Sequence, residues 1–183
     1  RTAAVLDDAL RTLQPLFAYE PQWPLHVSID DFSDTANGFA TPLPYDRIHL
    51  QAYPPDVTED LADHGDWLRM LVFHELTHVL HLGQVGGLPQ AVNAVLGRTL
   101  LPGGTVPRFV TEGLATHVET RHTGGDTSVA GHGGRVGSAQ FTALIRAAVL
   151  DGTLPQDASA FAGRPLVWPR GTMWYLYGSL LMD

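Results

Sequence analysis

Apolar and polar residues alternate with a period of two in two short segments of the first third of the chain, residues 25–30 and 47–53. Alternation of this kind places successive side chains on opposite faces of a β-strand. The residues between the two segments include several turn formers, and two prolines follow the second segment. The pattern therefore predicts two strands joined by an irregular connection.

Apolar residues recur with the helical period over most of the remaining chain. This periodicity predicts helices near residues 1–18, 67–82, 90–96, 107–120, 138–150 and 171–183, with one more helical turn at 157–162. A glycine-rich stretch at 123–137 interrupts the series, and we expect it to be a surface loop that could cover a cleft. A small sheet followed by a mainly helical C-terminal half predicts an α+β fold.

The composition is that of one folded domain. The chain has 183 residues, of which 44% are hydrophobic and 16% charged, and this balance supports a core of ordinary size. A net charge of -8 without a basic run argues against nucleic acid as a partner, and no apolar stretch is long enough to span a membrane. Because the chain starts at Arg1 and stops inside an apolar helix, we expect a single domain over residues 1–183, cut from a longer protein that contributes further domains.

The segment His74–His78 carries the strongest chemical signal in the chain and reads His-Glu-Leu-Thr-His. Residues four positions apart lie on the same face of a helix, so both imidazoles can bind one metal ion. The carboxylate of Glu75 can then reach a water molecule that the metal activates and act as a general base. The chain has no cysteine, which excludes cysteine-ligated zinc.

A catalytic zinc site usually has three protein ligands, so a third one must come from elsewhere in the chain. The metzincin pattern would place glycine and histidine at the positions that hold His81 and Gln84, and it fails at both. His81 itself lies one helical turn beyond His78, which favours packing or support of a ligand over direct binding.

A carboxylate on the helix predicted at 107–120 is the remaining candidate. Glu112 and Glu119 are seven positions apart and share one face of that helix. One of them can bind the metal while the other orients a ligand. The small residues Gly113 and Ala115 would allow this helix to lie close to another.

The two helices together resemble the gluzincin branch of the zinc metallopeptidases, in particular its peptidase MA-like families. The resemblance rests on His-Glu-Leu-Thr-His at 74–78 and on Thr-Glu-Gly-Leu-Ala at 111–115, followed by Glu119. It implies a zincin-like fold, with the sheet packed on the helix that carries His74 and His78, and it implies Glu112 as the third zinc ligand. The 34 positions between His78 and Glu112 are a longer separation than in the aminopeptidase and thermolysin types.

The resemblance also implies an oxyanion donor and a binding strand for the substrate. Gluzincins commonly supply a tyrosine or histidine from a later helix, which favours Tyr177, beside a glycine, with Tyr175 as the alternative. Packing of both tyrosines in a core is the competing interpretation. Zincins bind peptide backbones at an exposed edge strand, and residues 37–41 stand where the related families place that strand, although an ordinary turn is the slightly favoured interpretation.

The sequence thus predicts a Zn²⁺-dependent peptidase that hydrolyses peptide bonds in a peptide or protein substrate. Zinc would be held by His74, His78 and Glu112, with Glu75 as the base and Tyr177 as the donor to the oxyanion. The alternative is a non-catalytic, metal-stabilised interaction module of a larger protein, but such a module has no use for Glu75. The resemblance also suggests an extracytoplasmic protein, periplasmic or secreted.

Overall fold

The computed structural model describes residues 1–21, 24–32, 36–51, 53–56, 66–123, 134–154 and 173–182. Short 3-10 helices cover Pro102–Thr105 and Arg135–Gly137. The remaining regular elements are β1 (His26–Asp30), β2 (Asn37–Thr41), β3 (Arg47–Gln51), α1 (Thr2–Phe17), α2 (Trp67–Leu82), α3 (Gly87–Leu96), α4 (Arg108–Thr123), α5 (Ala139–Leu150) and α6 (Met173–Leu180).

The elements belong to two compact units. The first contains the sheet and helices α1 to α3, and the second contains α4 to α6. The α+β fold predicted from the sequence is confirmed, since a small mixed sheet packs on α2 and the C-terminal half is mostly helical. Among the described residues, no helix combines the length and the apolar character that crossing a membrane requires. That the chain is one domain over residues 1–183 stays a prediction.

The sheet has the strand order β1-β3-β2, with β1 parallel and β2 antiparallel to the central strand β3. Ile48 and Leu50 of β3 are buried, whereas the alternate residue His49 lies on the other face. There its ring nitrogens contact Ser28 Oγ at 2.8 Å and Asp30 Oδ2 at 2.7 Å. The alternation of apolar and polar positions therefore marks one face of the sheet for the core and one for polar contacts.

The interpretation of residues 37–41 as an ordinary turn is wrong. Asn37–Thr41 is the edge strand β2, and each of its five residues has a partner on β3, from Asn37 opposite Gln51 to Thr41 opposite Arg47. Turn-forming residues such as Asn37 and Gly38 hid the strand, because pairing with β3 outweighs the weak local preference of the segment. The central strand is also shorter than predicted and ends at Gln51.

Helix α2 has the bounds that the sequence predicts, 67–82. All residues from Met70 to Leu80 are buried, so the helix is enclosed on every side rather than on one stripe. The buried residues Ala9, Leu10 and Leu13 form the inner face of α1, which packs against α2. The polar side chains between Met70 and Leu80 are therefore buried together with the apolar ones.

In the second unit, α4 and α6 approach each other through two glycines. A Cβ atom at Gly113 would lie 2.6 Å from the Cα and carbonyl oxygen of Gly178, closer than real contacts allow. Beside this contact, a cluster of buried apolar residues joins α4, α5 and α6: Phe109, Phe141, Ala148, Leu176 and Tyr177. The prediction that the small residue Gly113 permits close helix packing is confirmed, and the neighbouring helix is α6.

The remaining expectations for the helices are largely met. Ser138 caps α5, since its hydroxyl accepts a hydrogen bond from the Phe141 N–H at 3.1 Å. Helix α3 begins at Gly87, three residues before its predicted start, and α4 extends to Thr123. The predicted helical turn at 157–162 and most of the expected glycine-rich loop, residues 124–133, lie outside the described residues.

Candidate metal centre

His74 and His78 stand one turn apart in the buried stretch of α2. Their Nε2 atoms are 3.2 Å apart, and the two rings meet edge to face with centroids 4.8 Å apart. Both side chains are nearly enclosed, with exposed fractions of 3% and 9%. Two tetrahedral nitrogen ligands of zinc stand about 3.3 Å from each other, since each Zn–N distance is about 2.0–2.1 Å. The spacing of the two rings therefore fits one metal ion.

His74, His78 and Glu112 form a group that could hold a metal ion. Each offers one ligand atom, and these atoms all lie within 4.8 Å of one another. Two imidazole nitrogens and a carboxylate oxygen are a donor set typical of catalytic zinc.

Within the second unit, Glu112 is oriented by Arg108 from the same helix. Arg108 Nε donates to Glu112 Oε1 at 3.3 Å, and the two residues are four positions apart. The guanidinium carbon of Arg108 also lies 4.5 Å from the centroid of the Trp174 ring on α6. The carboxylate of the candidate ligand is thus restrained by an arginine that is itself held against an aromatic face.

Glu75 lies under the edge strand of the sheet. It is 4% exposed, and a Cβ atom at Gly38 of β2 would lie 3.0 Å from Glu75 Cγ and 3.2 Å from Oε1. The contact leaves no room for a larger residue at position 38 without a shift of the glutamate. The packing of Gly38 on the side chain of Glu75 could not be predicted from the sequence, because the two residues are 37 positions apart.

Glu119 is fully buried, and its charge is balanced inside the second unit. Its Oε1 lies 3.4 Å from Arg135 Nε, and the guanidinium carbon of Arg135 lies 4.9 Å from the centroid of the Tyr175 ring. The predicted role of Glu119 in orienting a ligand stays a prediction. On the same helix, Thr116 is fully buried, and its hydroxyl has no hydrogen-bond partner in the part of the chain that the structure describes.

His81 is half-buried, and its Nδ1 atom finds no hydrogen-bond partner within the described ranges. Burial lowers the pKa of His81 below its ordinary value, and the charge of His78 lowers it further. The imidazole is therefore neutral at neutral pH. Its predicted role beside the ligands, as support or as packing, stays a prediction.

Tyr177 and Tyr175 lie on α6. Tyr177 is 3% exposed and belongs to the apolar cluster with Phe109 and Leu176, so the packing interpretation describes its ring correctly. Burial raises the pKa of Tyr177, so its hydroxyl stays protonated at neutral pH and can act as a donor. Whether this donor serves an oxyanion stays a prediction.

Comparison with known proteins returned nothing that assigns the chain to a family. No protein-family model matches it, and neither a curated protein nor a solved structure shows a significant match. The function must therefore be argued from the site itself.

Proposed function

We propose that the protein is a zinc-dependent peptidase of the gluzincin type. The observation that carries the proposal is the His74, His78 and Glu112 group, whose ligand atoms lie within 4.8 Å of one another. Two histidines and one glutamate leave a position open for water in a tetrahedral zinc site, which is how catalytic sites differ from closed structural ones. A zinc ion held there would activate water and polarise the substrate carbonyl.

In this proposal, Glu75 is the general base. It follows the first histidine on α2 and is 4% exposed, so its carboxylate would work in a site that excludes most bulk water. It would take a proton from the attacking water and deliver it to the nitrogen of the leaving amine. A purely structural metal site would gain nothing from a carboxylate at this position.

The edge strand β2 is the proposed binding surface for the substrate backbone. One side of β2 is paired with β3, and no strand among the described residues pairs with its other side. A peptide that added to this free edge would run beside Gly38, the residue that contacts Glu75. Tyr177, with Tyr175 as the alternative, is proposed as the donor that stabilises the oxyanion. An extracytoplasmic location belongs to the same proposal.

Metal content and peptide hydrolysis, measured on the same preparations, test the proposal. Wild-type protein should hold one zinc per chain by elemental analysis, and Glu112→Ala should lose most of it because a ligand has been removed. Glu75→Gln should keep the zinc but lower hydrolysis of quenched fluorescent peptides by roughly 10²–10⁴-fold, the contribution of a general base. Glu20→Gln, at an exposed position that contributes no proposed ligand or base, is the matched control.

The outcomes separate the two functional candidates. Zinc binding that depends on Glu112, together with equal peptide turnover in wild type and Glu75→Gln, would refute catalysis by this site. A metal-stabilised interaction module would then explain the chain better. Absence of zinc after reconstitution would refute the metal site itself.

A further inference from the structure

Two contacts restrain the side chain of Arg108. Its Nε donates to Glu112 Oε1, and its guanidinium carbon lies 4.5 Å from the centroid of the Trp174 ring. Within the described ranges, no hydrogen bond or ion pair involves either of its two terminal nitrogens. The side chain is 58% exposed to solvent, which allows a dissolved molecule to reach it.

The two contacts remove much of the freedom that an exposed arginine usually has. The ring of Trp174 holds the guanidinium by its face, and Glu112 holds it at Nε, which leaves the edge formed by the terminal nitrogens. Two parallel N–H groups on such an edge match the two oxygens of a carboxylate. A binding group that is already oriented also loses less entropy when its ligand arrives.

We propose that Arg108 binds a carboxylate of the substrate, either the C-terminal carboxylate of a peptide or an Asp or Glu side chain near the cleaved bond. The inference rests on the proposed peptidase function, because Glu112, the partner of Arg108, is the proposed third zinc ligand. A metal ion bound to Glu112 would partly neutralise the negative charge of that carboxylate. The positive charge of Arg108 would then be less compensated and would attract an anion more strongly.

The net negative charge of the chain affects how an anionic substrate could bind. Asp and Glu number 19 against 11 Lys and Arg, so the protein as a whole repels an acidic peptide. An anionic substrate would therefore need a specific cation near the site. Arg108 is a cation that contacts a proposed metal ligand, Glu112.

Binding of four related peptides to the zinc-loaded Glu75→Gln variant tests the proposal without turnover. The peptides share one sequence of eight residues and carry either a free or an amidated C-terminus, combined with either Glu or Gln at one interior position. Fluorescence anisotropy should show the carboxylate forms binding roughly ten- to hundredfold more tightly, as expected for a charge-assisted pair of hydrogen bonds. Which of the two carboxylates matters identifies its source.

Three variants made in this background connect the preference to Arg108. Arg108→Gln should abolish the preference, and Trp174→Leu should reduce it because the guanidinium loses the ring that orients it. Arg121→Gln, an exposed arginine at the far end of the same helix, should leave it unchanged. Elemental analysis of every variant should still show one zinc, which separates an effect on substrate binding from an effect on the metal.

Several results would overturn the inference. These are equal binding of all four peptides, no binding of any, or a carboxylate preference that survives Arg108→Gln. Failure of the proposed function is a separate result, since it would appear as equal turnover in wild type and Glu75→Gln whatever the peptides bind.

Discussion

The glycine contact between α4 and α6 leads to a quantitative prediction for Gly113→Ala. The added Cβ would lie 2.6 Å from the Cα and the carbonyl oxygen of Gly178, and the carbonyl carbon of Gly178 is also within clash distance of it. Carbon atoms in ordinary contact stand about 3.5–4.0 Å apart. The helices would have to separate by roughly 1 Å, because the obstructing atoms are backbone and no side-chain rotation can relieve the clash.

Two opposing contributions determine how much Gly113→Ala changes the free energy of unfolding. Overpacking a close contact costs about 1–3 kcal/mol, and a backbone clash belongs at the upper end of that range. Alanine in place of glycine inside a helix returns up to about 1 kcal/mol. We therefore expect Gly113→Ala to lower the free energy of unfolding by about 2 kcal/mol.

Urea unfolding of the zinc-free protein, followed by circular dichroism, measures this difference. Gly104→Ala is the matched control, because a Cβ there meets its nearest atom, Leu101 Cδ2, at an ordinary 3.7 Å. It should change the free energy of unfolding by less than about 0.5 kcal/mol. If Gly113→Ala is as stable as this control, the close approach of the two helices does not exist in solution and the reasoning fails.

Three further predictions concern the strand above Glu75, the buried tyrosine and the buried ion pair of the first unit. Gly38→Ala should push Glu75 by a few tenths of an ångström, lowering kcat by up to roughly 100-fold while elemental analysis still finds the zinc; unchanged kcat would contradict this. Because burial raises the pKa of Tyr177, the protonated tyrosine favours the folded state. This contribution to the free energy of unfolding is fully present below the unfolded pKa of about 10 and is lost as pH rises from there through the folded pKa. Thermal melts between about pH 9 and pH 11 should therefore show that the melting temperature falls less with rising pH in Tyr177→Phe than in the wild type. An equal fall in both proteins would contradict this prediction. Arg98→Met should cost about 3–5 kcal/mol in urea unfolding, because it removes the ion-pair partner of the fully buried Asp46 carboxylate, and a cost under about 1 kcal/mol would refute that role of the pair.

The sequence predicts those parts of the protein in which local pattern and final environment agree. Helix α2 is rich in apolar residues from Trp67 to Leu82 and is followed by Gly83, so its bounds can be predicted from local sequence. The spacing of His74 and His78 fixes their common face whatever surrounds the helix. The cap of α5 is equally local, since Ser138 reaches a backbone N–H three residues ahead.

The missed features depend on partners that are distant in sequence. The edge strand β2 contains turn-forming residues and is a strand because β3 lies beside it. The ion pair of Arg98 and Asp46 joins positions 52 residues apart. The pairing of Arg108 with Glu112 is readable from their spacing of four, but nothing local places Trp174 against the same arginine.

The glycine contact also bears on when the proposed site can be completed during synthesis. Gly113 and Gly178 are 65 positions apart, and a chain grows at about 5–20 residues per second. The synthesis of Gly178 on α6 therefore follows that of Gly113 on α4 by roughly 3–13 s. During that interval α2 already carries both histidines, while the helix with Glu112 has no α6 to pack against. The helix that carries the proposed third ligand therefore cannot reach its packed arrangement at Gly178 until α6 has been synthesised.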